Sequence, residues 1–244
     1  MSTVELTVDD GVATIWLNRP ERLNAVVSGL VDDLLTALDT VAASGAGAVV
    51  LAGRGRAFCA GHDLKEVPEG DSRRRLDRLQ DVTRRLRGLP QPVIAAVHGY
   101  AIGAGAEFAM GCDMVLAAED AVFAFPEVSL GLSVTGAASR LLPMMVGPLK
   151  AKELLLLGER IDGLTAHRIG LVNATAPADQ LMSKATEWAK RVAGHPREAA
   201  TMAKRALDAS IDIESALEIE VGHALITEHS AAVKASTDAF RSRA

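Results

Sequence analysis

Residues 93–113 read VIAAVHGYAIGAGAEFAMGCD. The run opens after Pro92 as a short apolar segment, the pattern of a buried strand. It passes through Gly103-Ala104-Gly105 into a small-residue helix whose one charge is Glu107. Glycines at 103 and 105 admit backbone that other residues cannot adopt, and they let a ligand come close. The first turn of a helix presents N–H groups without partners and a partial positive charge. Such a turn can hold an oxygen that becomes negative during a reaction. A carboxylate one turn further along can then act on the atom beside that oxygen. The competing reading is a tight strand-to-helix turn in a core, with Glu107 facing solvent.

Other chemistries fit less well. Gly103-Ala104-Gly105 begins a dinucleotide-binding fingerprint, but its third glycine would stand at Phe108. Gly136-Ala137-Ala138-Ser139 is not the nucleophile elbow of a serine hydrolase. The histidines at 62, 98, 167, 195, 223 and 229 form no i, i+4 pair, and Cys59 and Cys112 lie far apart, so no metal site is expected.

The elements that must position Glu107 follow from the pattern around it. Residues 4–8 and 12–17 are β-prone runs about Asp9-Asp10-Gly11, a hairpin signal. Asn18-Arg19-Pro20 ends the second. Ser28 is placed to cap a helix to about residue 43, with Leu30, Leu34, Leu35, Leu38 and Val41 on one face. Residues 48–52 form a buried strand. After a Gly/Arg loop comes Ala57-Phe58-Cys59-Ala60-Gly61-His62-Asp63-Leu64-Lys65. Residues 71–87 form an amphipathic helix with seven arginines and three aspartates. That helix reads as a solvated charged face, with a basic rim for an anionic ligand as the functional alternative. Residues 114–118 and 121–125 are short strands. Ser133 and Thr135 are capping candidates for a helix over 137–146. From Pro148 onward the pattern is helical, in pieces ending with 213–228 and 231–241, and only a strand-like Leu171-Val172 interrupts it. Strands alternating with helices predict an α/β body of about 145 residues with a helical C-terminal third. The Ala- and Leu-rich third is expected to bury surface against another subunit.

Composition narrows the class. The chain has 244 residues, 49% hydrophobic and 23% charged, as an ordinary globular protein has. Its net charge of −5 argues against nucleic acid or an anionic membrane as the main partner. No apolar run is long enough to span a bilayer. Two cysteines cannot build a disulfide framework, and the first ten residues, MSTVELTVDD, lack a secretion signal, so a cytoplasmic protein with free thiols is expected.

Four blocks together carry a resemblance. They are Asn18-Arg19-Pro20 with Leu23-Asn24-Ala25, then residues 57–65, then His98-Gly99-Tyr100-Ala101-Ile102-Gly103-Ala104-Gly105-Ala106-Glu107 ending in Cys112-Asp113, and finally Phe125-Pro126-Glu127 with Gly131. In order and spacing, over essentially the whole chain, the sequence resembles the enoyl-CoA hydratase/isomerase family, also called the crotonase family. The resemblance implies an α/β fold of the ClpP/crotonase type: a spiral of ββα units over residues 1–190, with a helical trimerisation region over 191–244. It implies a homotrimer or a dimer of trimers and an acyl-CoA substrate, with coenzyme A as part of the substrate rather than a cofactor. The thioester oxygen would be held by the backbone N–H groups of His62 and Ala104, the His62 ring lying beside the CoA arm. Two donors in a dry site stabilise such an oxyanion by a few kcal/mol.

Hydratases of the family use two glutamates, and both positions are filled here, by Glu107 and Glu127, 20 residues apart. The resemblance assigns the water at C3 to Glu107 and the proton at C2 to Glu127, a division that needs two carboxyl groups of different pKa. The alternatives are a Δ3,Δ2-enoyl-CoA isomerase, which needs only the second glutamate, another acyl-CoA reaction of the family, and an RNA-binding member using the arginine-rich helix. By position, Arg22, Leu23, Ala25, Ala60, His62, Asp63, Leu64 and Lys65 would line the CoA path, Lys65 meeting a phosphate. Phe240 and Arg243 match tail positions that reach a neighbouring subunit's CoA. The chain departs from the family after Gly131. Val134-Thr135-Gly136-Ala137-Ala138 replaces a glycine-rich run, and Thr135 falls where a glycine backbone helps to place the water.

Overall fold

A computed structural model describes residues 2–66 and 70–209, together with Ala231 and Ala235. Strands β1 (Val4–Asp9) and β2 (Val12–Leu17) pair antiparallel around Asp10 and Gly11. Both turn residues have positive φ, +47° and +74°, the twist that a two-residue hairpin requires. Helix α1 (Ser28–Ala42) follows, then β3 (Ala48–Gly53), α2 (Ser72–Gly88), β4 (Val93–Val97), β5 (Tyr100–Ile102) and α3 (Ala104–Gly111). Next come β6 (Met114–Ala118), β7 (Val122–Ala124), a 3-10 turn at Val128–Leu130, α4 (Ala138–Val146) and α5 (Pro148–Leu157). The described chain closes with β8 (Ile161–Asp162), α6 (Gly163–Arg168), β9 (Ala174–Ala176), α7 (Leu181–Ala193) and α8 (Arg197–Ala209).

The large sheet has the order β1-β2-β3-β4-β6-β9, parallel from β2 onward, and the small one β5-β7-β8. Every residue of β3 and β4 is buried, as parallel strands covered on both faces are. The chain repeats one move. It lays a strand in the large sheet, then an extended segment in the second layer, then a helix. β4, β5 and α3 make one such unit; β3, the segment bridged at Cys59 and α2 make another. This is the expected spiral of ββα units.

Three local expectations are corrected. Ser28 is the first residue of α1 rather than its cap, and its N–H donates to the carboxylate of Glu66 instead (3.1 Å). Leu171-Val172 is a buried turn. There the Asn173 side chain accepts the Val115 N–H (2.7 Å), and the ladder with β6 begins only at Ala174. Neither Ser133 nor Thr135 caps α4, which starts from Ala137 in a left-handed conformation. α7 packs its Leu181, Ala185 and Ala189 into the same core as β3 and β4. Most of the helical tail, including Phe240 and Arg243, lies outside the described residues.

α8 is tied to the body by a buried cation. Lys204 Nζ donates to Asp113 Oδ2 (2.8 Å) and to the Leu86 carbonyl (3.0 Å), while the same carboxylate oxygen accepts the N–H of Val93, the first residue of β4 (2.7 Å).

Candidate active site

Two parallel segments bring two backbone donors together. Cys59 bridges Ala101: its N–H donates to the Tyr100 carbonyl (2.8 Å), and the Ile102 N–H donates back to Cys59 (3.0 Å). His62 and Ala104 each stand three residues beyond this bridge. The segments stay close that far, because a Cβ on Gly61 would lie 2.7 Å from the Ile102 carbonyl oxygen and 4.0 Å from the Ala104 nitrogen. Val26 orients His62. The Val26 N–H donates to Gly61 O (2.8 Å) and Val26 O accepts the Asp63 N–H (2.9 Å), so the N–H of His62 points the other way. Ala104 opens α3, so its N–H lies ahead of the helical ladder. Among the described residues, neither N–H has a partner. Gly105 serves this packing rather than a ligand, since a Cβ there would meet the Cys59 carbonyl oxygen at 2.2 Å.

α3 is buried along its whole length, which overturns the reading of Glu107 as a solvent-facing residue: it is 1% exposed. Thr135 meets both of its oxygens. The Thr135 N–H donates to Oε1 (2.6 Å) and the hydroxyl to Oε2 (2.5 Å). Gly136 lies against the same side chain, with φ +55° and an added Cβ only 2.7 Å from Glu107 Cβ. Glu127, 9% exposed, follows Pro126 at the start of the 3-10 turn, and its buried Oε2 has no hydrogen-bond partner among the described residues. Desolvation pushes both carboxyl groups above the ordinary glutamate range. For Glu107 the two Thr135 donors oppose that rise and the nearby charge of Glu127 adds to it.

Both carboxyl groups and the His62–Ala104 pair border one cavity of about 1060 Å³. Its apolar wall comes from α1 and α2, through Val31 and Leu79, with Val26, Val27 and Leu132 from the loops. That wall was missed in sequence. Val31 is an ordinary core position on α1, and nothing in its spacing marks it as facing a ligand. Of the expected site residues, His62, Asp63, Leu64, Ala104, Glu107, Glu127 and Thr135 border the cavity. Arg22, Leu23, Ala25, Ala60 and Lys65 do not. Arg22 pairs with Asp63 (2.7 Å), which Arg19 also contacts (3.3 Å), and the Ala60 N–H donates to the Leu23 carbonyl (3.0 Å). Buried Asn24, at φ +56°, braces this turn by donating to the carbonyls of Arg54 (2.9 Å) and Ala57 (2.7 Å). These residues support the His62 segment from behind. Lys65 is exposed.

Most of α2 is the charged face expected of it. Arg73, Arg78, Arg84, Arg85 and Arg87 each meet an aspartate. Arg74 and Arg75 have no carboxylate partner among the described residues, and they border the cavity.

The family model described as enoyl-CoA hydratase/isomerase matches residues 7–243. The chain belongs to the enoyl-CoA hydratase/isomerase family. A protein named mitochondrial enoyl-CoA hydratase from Pongo abelii is 38% identical over 208 residues, 83% of this chain and 70% of that protein. A probable mitochondrial enoyl-CoA hydratase from Dictyostelium discoideum is 35% identical over 208 residues, 83% of this chain and 74% of its own length. The crystal structure of an enoyl-CoA hydratase from Bacillus anthracis superposes with a TM-score of 0.94 at 30% identity, covering 99% of this chain and 96% of the other. In this member of the enoyl-CoA hydratase/isomerase family, the N–H groups of His62 and Ala104 and the two carboxyl groups border the same cavity.

Proposed function

We propose that this protein adds water across the C2–C3 double bond of trans-2-enoyl-CoA thioesters. The observation that carries this reading is the opening of two buried carboxyl groups and two unpartnered N–H groups onto one cavity. Relatives named enoyl-CoA hydratase support it.

Glu107 takes a proton from water as the water oxygen bonds to C3. The π electrons of the double bond move toward the thioester, whose oxygen becomes negative and is held by the N–H groups of His62 and Ala104. Each such donor contributes about 3 kcal/mol where water is excluded. The enolate then collapses as Glu127 delivers its proton to C2. The raised pKa of Glu127 keeps a proton available for that step. A net proton returns from Glu107 to Glu127 before the next cycle. Arg74 and Arg75 place positive charge at the cavity for the CoA phosphates.

The reading includes a homotrimer or a dimer of trimers, supported by the exposed Met144, Leu149, Leu156 and Leu157 of α4 and α5. It includes a cytoplasmic location, supported by two buried free thiols. Among the described residues no helix is long and apolar enough to cross a membrane, and no cluster could hold a metal ion. The reading needs no cofactor.

The deciding experiment follows crotonyl-CoA by loss of the conjugated-enone absorbance. Glu107→Gln and Glu127→Gln are each expected to lower kcat by orders of magnitude with substrate binding within a few-fold of wild type. An isomerase would instead keep conversion of 3-enoyl-CoA in Glu107→Gln and lose it in Glu127→Gln.

A further inference from the structure

Thr135 borders the cavity and turns its N–H and its hydroxyl onto Glu107. With the amide hydrogen aimed at Oε1 (2.6 Å) and a hydroxyl that can rotate to donate 2.5 Å from Oε2, Thr135 offers one donor to each oxygen of a charged Glu107. Gly136 closes the side chain from a third direction. We propose that Thr135 is a positioning residue, a two-point latch that holds Glu107 in one rotamer and favours its charged form before substrate arrives. Each carboxylate oxygen keeps a second lone-pair site, so the latch leaves Glu107 able to accept a proton from water.

The contrast with Glu127 gives the latch its consequence. Both groups are taken out of water, but among the described residues Glu127 Oε2 has no donor whereas Glu107 has two. Donors to the charged form lower a carboxyl pKa, and desolvation raises it. The latch therefore separates two carboxyl groups that share one cavity. Other charges facing the cavity do not do this. Glu127 is the charged group that bears on Glu107. From α1 the cavity takes Asp32, already met by Arg78, and from α2 it takes Arg74 and Arg75. The loop between β3 and α2 adds His62, Asp63, Glu66 and Asp71. Of the elements packed on α3, α4 carries an exposed Arg140 and β5 an exposed Tyr100, and Asp113 stands past the far end of α3 with Lys204.

The role rests on Glu107 being the base of the hydration, and the test separates the two ideas. Protein labelled with 13C at glutamate carboxyl carbons is titrated by NMR, with Glu107→Gln identifying the resonance. Thr135→Val removes the hydroxyl and keeps the N–H, and Thr135→Ala makes the same deletion where Val fails to fold. The Glu107 signal is expected to titrate about one pH unit higher, a tenfold gain in proton affinity, and Thr135→Ser is expected to titrate with wild type. The acid limb of kcat/KM for crotonyl-CoA should move in the same direction. An unmoved Glu107 titration in the folded variant overturns the latch, even if activity falls, because a merely structural role would lower the rate without moving the titration. A moved titration in a protein whose wild type hydrates no enoyl-CoA keeps the latch and removes the hydratase reading.

Discussion

Gly103 lies directly beneath the carboxyl group of Glu127: a Cβ on residue 103 would stand 2.7 Å from Oε1. The glycine also holds φ +52° and ψ −120°, a combination essentially reserved for glycine. Both constraints act on the residue immediately before α3. Gly103→Ala is expected to displace Glu127 and lower crotonyl-CoA hydration at least tenfold, and to cost about 1–3 kcal/mol of stability. Stopped-flow rates with a parallel urea titration check both. Wild-type rates in a folded Gly103→Ala protein would contradict this account of the contact.

Glu127 gives stability a pH dependence of unusual sign. Its folded pKa is raised by desolvation. The penalty for ionising it is absent below the unfolded value of about 4.3 and grows as pH rises through the folded value. Glu127→Gln is therefore expected to raise Tm relative to wild type at pH 8 and to do so much less at pH 4. Calorimetry at the two pH values is the measurement, and an equal difference at both would count against a raised pKa.

The opposite sign applies at Asp63. The hydrogen bond from Arg22, ahead of the opposing desolvation, holds its pKa down at about 2. Stabilisation from this group is present above the unfolded value of about 3.9 and is lost as pH falls toward 2. Asp63→Asn should lack that acid-induced loss. Because the Arg22–Asp63 pair braces the segment bearing His62, the variant should also bind crotonyl-CoA several-fold more weakly. Unchanged KM would place the pair outside substrate binding.

The Lys204 side chain is 4% exposed and its partner Asp113 anchors the start of β4. Removing one member of a buried ion pair leaves the other uncompensated, at about 3–5 kcal/mol. Lys204→Met should shift the urea midpoint accordingly, and Lys204→Met with Asp113→Asn should recover part of the loss. No recovery in the double variant would mean that the carbonyl contacts of Lys204, not the ion pair, hold α8 in place.

Both thiols are buried, and burial pushes that of Cys59 up to about 12 and that of Cys112 higher than its ordinary value. Native protein should leave Ellman's reagent unreacted at these positions until denaturant is added. Rapid labelling of folded protein would contradict their burial.

Much of the fold was readable in the chain because it rests on local periodicity. Asp10-Gly11 between alternating runs specified the hairpin, the leucines of α1 marked its buried face, and the unbroken apolar runs of β3 and β4 marked strands covered on both sides. Glu107 was legible as the one charge in a small-residue helix, and Glu127 through its place in a recognised motif. What sequence could not tell is what each group faces. Whether Glu107 looked inward depended on α3 being packed on every side. The donors at His62 and Ala104 became a pair only because Cys59 and Ala101, 42 positions apart, run side by side. Thr135 read as a helix cap and a substrate contact, because capping is a local propensity. Its engagement with Glu107, 28 positions earlier, is long-range. Propensity acts between neighbours along the chain, whereas hydrogen bonding and desolvation at the site are set by segments that only the tertiary structure brings together.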